Sequence, residues 1–274
     1  MGSSGLIKAS LGVLRANKKL LVFPLLSLAS AIILLAVFVL PFVLTSRGSG
    51  ASASSGTSSL GPLQYVIFAF GYLLLAVIAM FFNAALILAA DQAFRGERPG
   101  IAASLRATRR HAPAIVAWGL FGGTVSLIAR AVDRRIPFAS AIVGTTWSAV
   151  TFLALPVIVL EGGGAARGVR RAAHLFRTTW GEEVTGAVRI GLLAAVLSIP
   201  LLPVLFFGLG SESGSAMLAA LAVCALWIGF VSLIISTVTG VFRVAVYHFA
   251  ATRSTPPQFA GADLARSFRS RGFA

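Results

Sequence analysis

Residues 151–183 read TFLALPVIVLEGGGAARGVRRAAHLFRTTWGEE. An apolar run containing Pro156 ends at Glu161, and Gly162, Gly163 and Gly164 follow it. Glycine takes up the left-handed conformation that closes a helix at no steric cost, so three in succession read as a helix stop. Arg167, Arg170, Arg171 and Arg177 then alternate with apolar residues, and Trp180-Gly181 precedes the next apolar run. The pattern is a membrane span, a basic elbow along the membrane surface, and a return into the membrane.

The rest of the chain varies that pattern. Of its 274 residues, 57% are hydrophobic and 11% charged, with a mean hydropathy of +0.91. A water-soluble domain carries about 25% charged residues, so water is the wrong solvent for most of this surface. Apolar stretches of spanning length occupy 20–45, 63–90, 113–132, 137–160, 184–209 and 215–250. About 20 residues cross the hydrocarbon, and with no water to satisfy the backbone they must be helical. The expected fold is all-α: a polytopic transmembrane bundle of six spans, one integral membrane domain over residues 1–274. The first run is longer than the ~7–15 apolar residues of a cleavable signal and is expected to stay as a span.

The net charge of +15 invites a nucleic-acid reading, but the placement of the charges argues for topology. Of 23 Lys and Arg, 17 lie on one alternating set of segments: the N-terminus, the 91–111 loop, the 161–183 loop and the tail at 252–274. Four lie on the other set (Arg47, Arg130, Arg134 and Arg135), and Arg189 and Arg243 fall within or near spans. Because Lys and Arg stay on the cytoplasmic side, both termini are expected inside a plasma membrane, as an even number of spans also requires. The Gly/Ser-rich outside loop at 46–60 has no capacity for burial.

Residues 6–19 and 101–111 share the basic amphipathic character of the elbow at 166–177. The three align without a gap: Ile7, Ile101 and Val169; Leu11, Leu105 and Ala173; Leu14, Thr108 and Phe176; Arg15, Arg109 and Arg177. Each precedes an apolar hairpin, which suggests three elbow-plus-hairpin repeats at about 6–90, 101–160 and 166–250. A positive-inside bias acting on any cytoplasmic amphipathic helix gives the same pattern. Gly119 and Gly123 form a GxxxG expected to pack within one chain. Pro200 and Pro203 predict a kink, and the last apolar run, too long for one crossing, is expected either to project or to bend near Gly240.

Polar side chains inside a membrane are costly and are functional candidates for that reason. Asn83, Asp91, Glu161, Arg189, Arg243 and His248 qualify. One reading is a polar cluster in which Asp91 and Glu161 face Arg189 or Arg243; the other is interfacial pairing that holds the hairpins together. Arg15, Arg109, Arg110, Arg170, Arg171, Arg177 and Trp180 are expected at headgroup depth, where anionic lipids would meet them. The sequence holds no phosphate-cradle, zinc-protease or nucleophile-elbow motif. Cys224 is the single cysteine, which excludes an intramolecular disulfide. No cofactor, metal or catalytic residue is called for.

At PVIVLEGGG (156–164), LFRTTWGEE (175–183), VFRVAVYHFA (241–250) and the opening ASLGVLRANKKLLVFPLL (9–26), the sequence resembles an uncharacterised family of six-span prokaryotic membrane proteins of actinobacteria and some archaea, a domain of unknown function. The resemblance implies a fold and a plasma-membrane location, and brings no activity or substrate. The function expected is a non-enzymatic membrane module that organises lipid or partner proteins at the cytoplasmic leaflet, as a homo-oligomer or with another membrane protein. The alternative is a transporter or lipid-handling channel with a polar site near the cytoplasmic ends of spans two, four and six.

Overall fold

A computed structural model describes residues 10, 12–48, 62–133, 152–162, 164–179, 194–210 and 214–252. Among these the chain is all-helical, with no strand. A short helix α1 (12–16) ends at Asn17, and a 3-10 turn at Lys18–Leu21 leads into α2 (Val22–Gly48). There follow α3 (Pro62–Phe94), α4 (Ile101–Arg110), α5 (Ala112–Asp133), α6 (Phe152–Glu161), α7 (Gly164–Thr179), α8 (194–198), α9 (Leu201–Leu209) and α10 (Gly214–Thr252).

Three segments are long and apolar enough to cross a membrane: Lys18–Phe38, Tyr65–Phe94 and Met217–Ala251. A fourth arises if α4 and α5, bent by 77° about His111, are taken as one broken span. These helices make the chain a membrane protein. The spans expected at 137–160 and 184–209 lie partly outside the described residues; α6, α8 and α9 are their described portions.

The helix ends follow local chemistry. Gly96, at φ 79°, closes α3 in the left-handed region, and Gln92 Oε1 accepts the Gly100 N–H at 3.3 Å across the turn. Gly162 and Gly164 take φ 70° and 76°, so the glycine run after α6 is a stop in which at least two positions require glycine. The expected kink at the prolines is a break: Ile199 and Pro200 form a turn between α8 and α9, and the Leu197 carbonyl accepts a hydrogen bond from Trp227 Nε1 of α10 at 2.9 Å.

The core gathers where α3, α6 and α10 run side by side to a common end. Ala84–Ile87, Ala89 and Ala90 of α3, Leu153–Leu155 and Val157–Val159 of α6, and Val238, Val241 and Val244–Val246 of α10 are all buried. Small residues allow this closeness. A Cβ on Gly240 would collide with Leu86, and one on Gly119 would sit 3.0 Å from the Val77 backbone. Gly119 and Gly123 thus pack α5 onto α3 within one chain. Gly240 marks the crossing of α10 over α3, and α10 runs unbroken through it, with no helix break there.

The elbows dock by a face that overlaps the apolar stripe of the sequence and is shifted from it. α4 buries Ser104 and Thr108, with Ile101 and Leu105 only partly buried against the core; α7 buries Gly168, Ala172 and Leu175. Ser104, Gly168, Ala172 and Leu175 each precede a position of the apolar stripe by one residue, whereas Thr108 lies on the stripe itself. A Cβ on Gly168 would collide with Ile158.

Candidate functional site

Two consecutive residues near the end of α10 tie the three core helices together. Adjacent positions on a helix point about 100° apart, so Tyr247 reaches one neighbour and His248 the other. The Tyr247 hydroxyl donates to Glu161 Oε1, on the last residue of α6, at 3.2 Å. His248 Nε2 lies 2.7 Å from Asp91 Oδ1 near the end of α3. Since a carboxylate only accepts, Nε2 carries the proton.

Each carboxylate has a second, basic partner. Asp91 Oδ2 meets Arg95 Nη2 at 2.6 Å, one turn along α3, and Glu161 Oε1 meets Arg171 Nε of α7 at 3.5 Å. The two differ in setting: the Asp91 side chain is 6% exposed, whereas Glu161 and Arg171 are 33% and 45% exposed. Phe94 and Tyr247 stand edge-on to the His248 ring at 6.2 and 5.7 Å and wall it in.

Asp91 and Glu161 therefore meet polar partners at one end of the bundle, and among the described residues Arg243 is not one of them. Arg243 pairs with neither; its guanidinium lies 5.0 Å over the ring of Phe152. It sits one turn before Tyr247, on a side chain that leads away from the carboxylates. Asn83 stands apart as well, donating to the Ala79 carbonyl of its own helix at 2.9 Å. Arg189 and Trp180 lie outside the described residues, and Arg177 lies on α7. Arg15, Arg109, Arg110 and Arg170 are exposed, as is Arg171, which is engaged by Glu161. Tyr247 and Arg95 are the partners that sequence reasoning missed. The signal for Tyr247 is a Tyr-His pair in the last turns of a largely apolar helix.

Chemically the arrangement is a fastening: two carboxylates, each held from two sides, join α3, α6, α7 and α10. No curated protein and no solved structure matches the chain. Residues 63–256, well over half of the chain and including every residue of this seam, match the model described as "Family of unknown function (DUF6159)", and the protein belongs to that family.

Proposed function

We propose that the protein is a six-span plasma-membrane protein, with both termini in the cytoplasm, that acts as a non-enzymatic module organising lipid or partner proteins at the cytoplasmic leaflet. The observation that carries this reading is the two-faced build of the elbows. α4 and α7 seat Ser104, Thr108, Gly168 and Ala172 against the bundle and leave Arg106, Arg109, Arg110, Arg167 and Arg170 exposed. At headgroup depth each such arginine gains about 1 kcal/mol from an anionic leaflet. The paired carboxylates are then architecture that holds the elbows' platform together.

The threefold elbow-plus-hairpin repeat belongs to the same reading. In the gapless register, Ser10, Ser104 and Ala172 share one position, and all three are buried; Leu14 and Thr108 share another and are buried too. Equal burial at equal register supports elbows that dock alike. The helices that follow two of them end at Glu161 and in the Tyr247–His248 pair, and the seam brings these to Asp91 of the first hairpin.

The test is native mass spectrometry of the protein extracted with its surrounding lipid, beside an Arg109→Gln/Arg110→Gln/Arg170→Gln variant. The parent is expected to retain anionic phospholipid in excess over zwitterionic lipid, and the variant to lose that excess. Equal retention by the two would defeat the reading. A transporter or lipid-handling channel through the same end is the second reading, and Arg243, which pairs with no carboxylate among the described residues, favours it.

A further inference from the structure

Arg243 sits between the buried Phe242 and Val244 of α10. Its Nε is enclosed and, among the described residues, has no hydrogen-bond partner. Asp91 is engaged by Arg95 and His248, and Glu161 by Arg171 and Tyr247, and neither reaches Arg243. A guanidinium carries five N–H donors and a permanent charge. Here what holds it is the face of Phe152, itself packed edge-on against Phe242 at 5.8 Å. A ring face offsets only part of the cost of taking a cation out of water.

The direction of the side chain matters as much as its isolation. Tyr247, one turn after Arg243, reaches Glu161 at the end of α6, whereas Arg243 reaches Phe152 at the start of α6. At ~1.5 Å per residue those two points on α6 lie about 13 Å apart, while Arg243 and Tyr247 are separated by only about 6 Å along α10. The guanidinium therefore runs back toward the N-terminal part of α10, into the apolar layer, as helical side chains tilt. An arginine relieved by snorkelling would run the other way. The residue nonetheless keeps intermediate exposure while both helical neighbours are buried.

We propose that Arg243, backed by Phe152, is an intramembrane anion site that takes the carboxylate or phosphate of an amphiphilic oxyanion, whose apolar part lies along the bilayer. The guanidinium fork matches a two-oxygen acceptor. The aromatic and aliphatic surroundings suit an acyl chain better than a hydrated ion, which would shed its water for one cation alone. None of the elbow arginines takes part, so the site stands or falls separately from the lipid-organising reading.

The experiment uses the full chain, purified in an uncharged maltoside detergent and stripped of lipid. Thermal unfolding is followed against added oleate, phosphatidylglycerol, inorganic phosphate and, as a control, phosphatidylcholine, for the parent, Arg243→Met, Arg243→Lys and Arg109→Gln/Arg110→Gln. The expected result is a saturable rise in Tm with oleate or phosphatidylglycerol, matched by one retained amphiphile in native mass spectra. Arg243→Met abolishes it, Arg243→Lys weakens it about tenfold or more through loss of the fork, and the elbow variant keeps it. An Arg243-dependent rise with inorganic phosphate supports the same site and assigns its anion to solution instead of the bilayer. No saturable response of the parent to any of the three anions overturns the proposal, whatever the variants do. So does a response that Arg243→Met retains.

Discussion

The two ends of α10 invert the rule of soluble proteins. Residues 217–230, MLAALAVCALWIGF, hold no charged residue, yet Leu226 is 76% exposed and Leu218, Ile228 and Phe230 also face outward. Residues 238–250, VTGVFRVAVYHFA, include Arg243, Tyr247 and His248, and this more polar end is the buried one. Phe206 and Phe207 of α9 are as exposed as Leu226. In hydrocarbon an outward Leu or Phe costs nothing, and association between helices depends on close packing and polar contacts. What separates the two ends is therefore the size of neighbouring residues and the carboxylates that fasten them.

Substitutions at the two ends should differ in rank accordingly. The largest effect is expected from Asp91→Ala, which removes the acceptor shared by His248 and Arg95; each hydrogen bond to a charged group contributes about 1.5–3 kcal/mol, read as a drop in thermal unfolding temperature in detergent. Gly240→Leu comes next, at about 1–3 kcal/mol from overpacking against Leu86. Its control is Gly229→Leu on the exposed end, where the nearest atom beyond the helix is Leu28 at 3.7 Å and little change is expected. Glu161→Gln should cost under about 1 kcal/mol, since both members of its ion pair are partly exposed. Leu226→Ala should be smallest, within about 0.5 kcal/mol. Were Leu226→Ala to destabilise as much as Gly240→Leu, the outer end would be a packed interface and the contrast would fail.

The sequence made some of this legible and hid the rest for a physical reason. Segment ends were readable because glycine, proline and the basic clusters act locally: Gly162 and Gly164 stop α6, and the turn at Ile199–Pro200 sits at a predicted proline. The GxxxG of α5 pointed correctly to packing within the chain. Asp91 and Glu161 stood out because carboxylates are scarce among apolar residues. Their partners did not, because pairing depends on how each helix is rotated about its axis. α3 and α10 are apolar nearly all round, so hydropathy gives no stripe that fixes the rotation. The rotation is set by Gly240 lying on Leu86, a contact between residues far apart in sequence. The elbows do have a stripe, yet their innermost residues are Ser104 and Ala172 instead of the larger neighbours. Closeness of backbones, which hydropathy does not measure, decided the face.

The proposed topology is a membrane bundle whose fastened end, with its elbows, faces the cytoplasm. The most direct test is cysteine labelling in intact cells with a membrane-impermeant maleimide, in a Cys224→Ala background. Ser54→Cys probes the Gly/Ser loop and Arg106→Cys the exposed face of α4. The account predicts that Ser54→Cys labels in intact cells, and that Arg106→Cys labels only after the cells are broken open. Labelling of Arg106→Cys in intact cells, with Ser54→Cys protected, would put the elbows on the outside and contradict it.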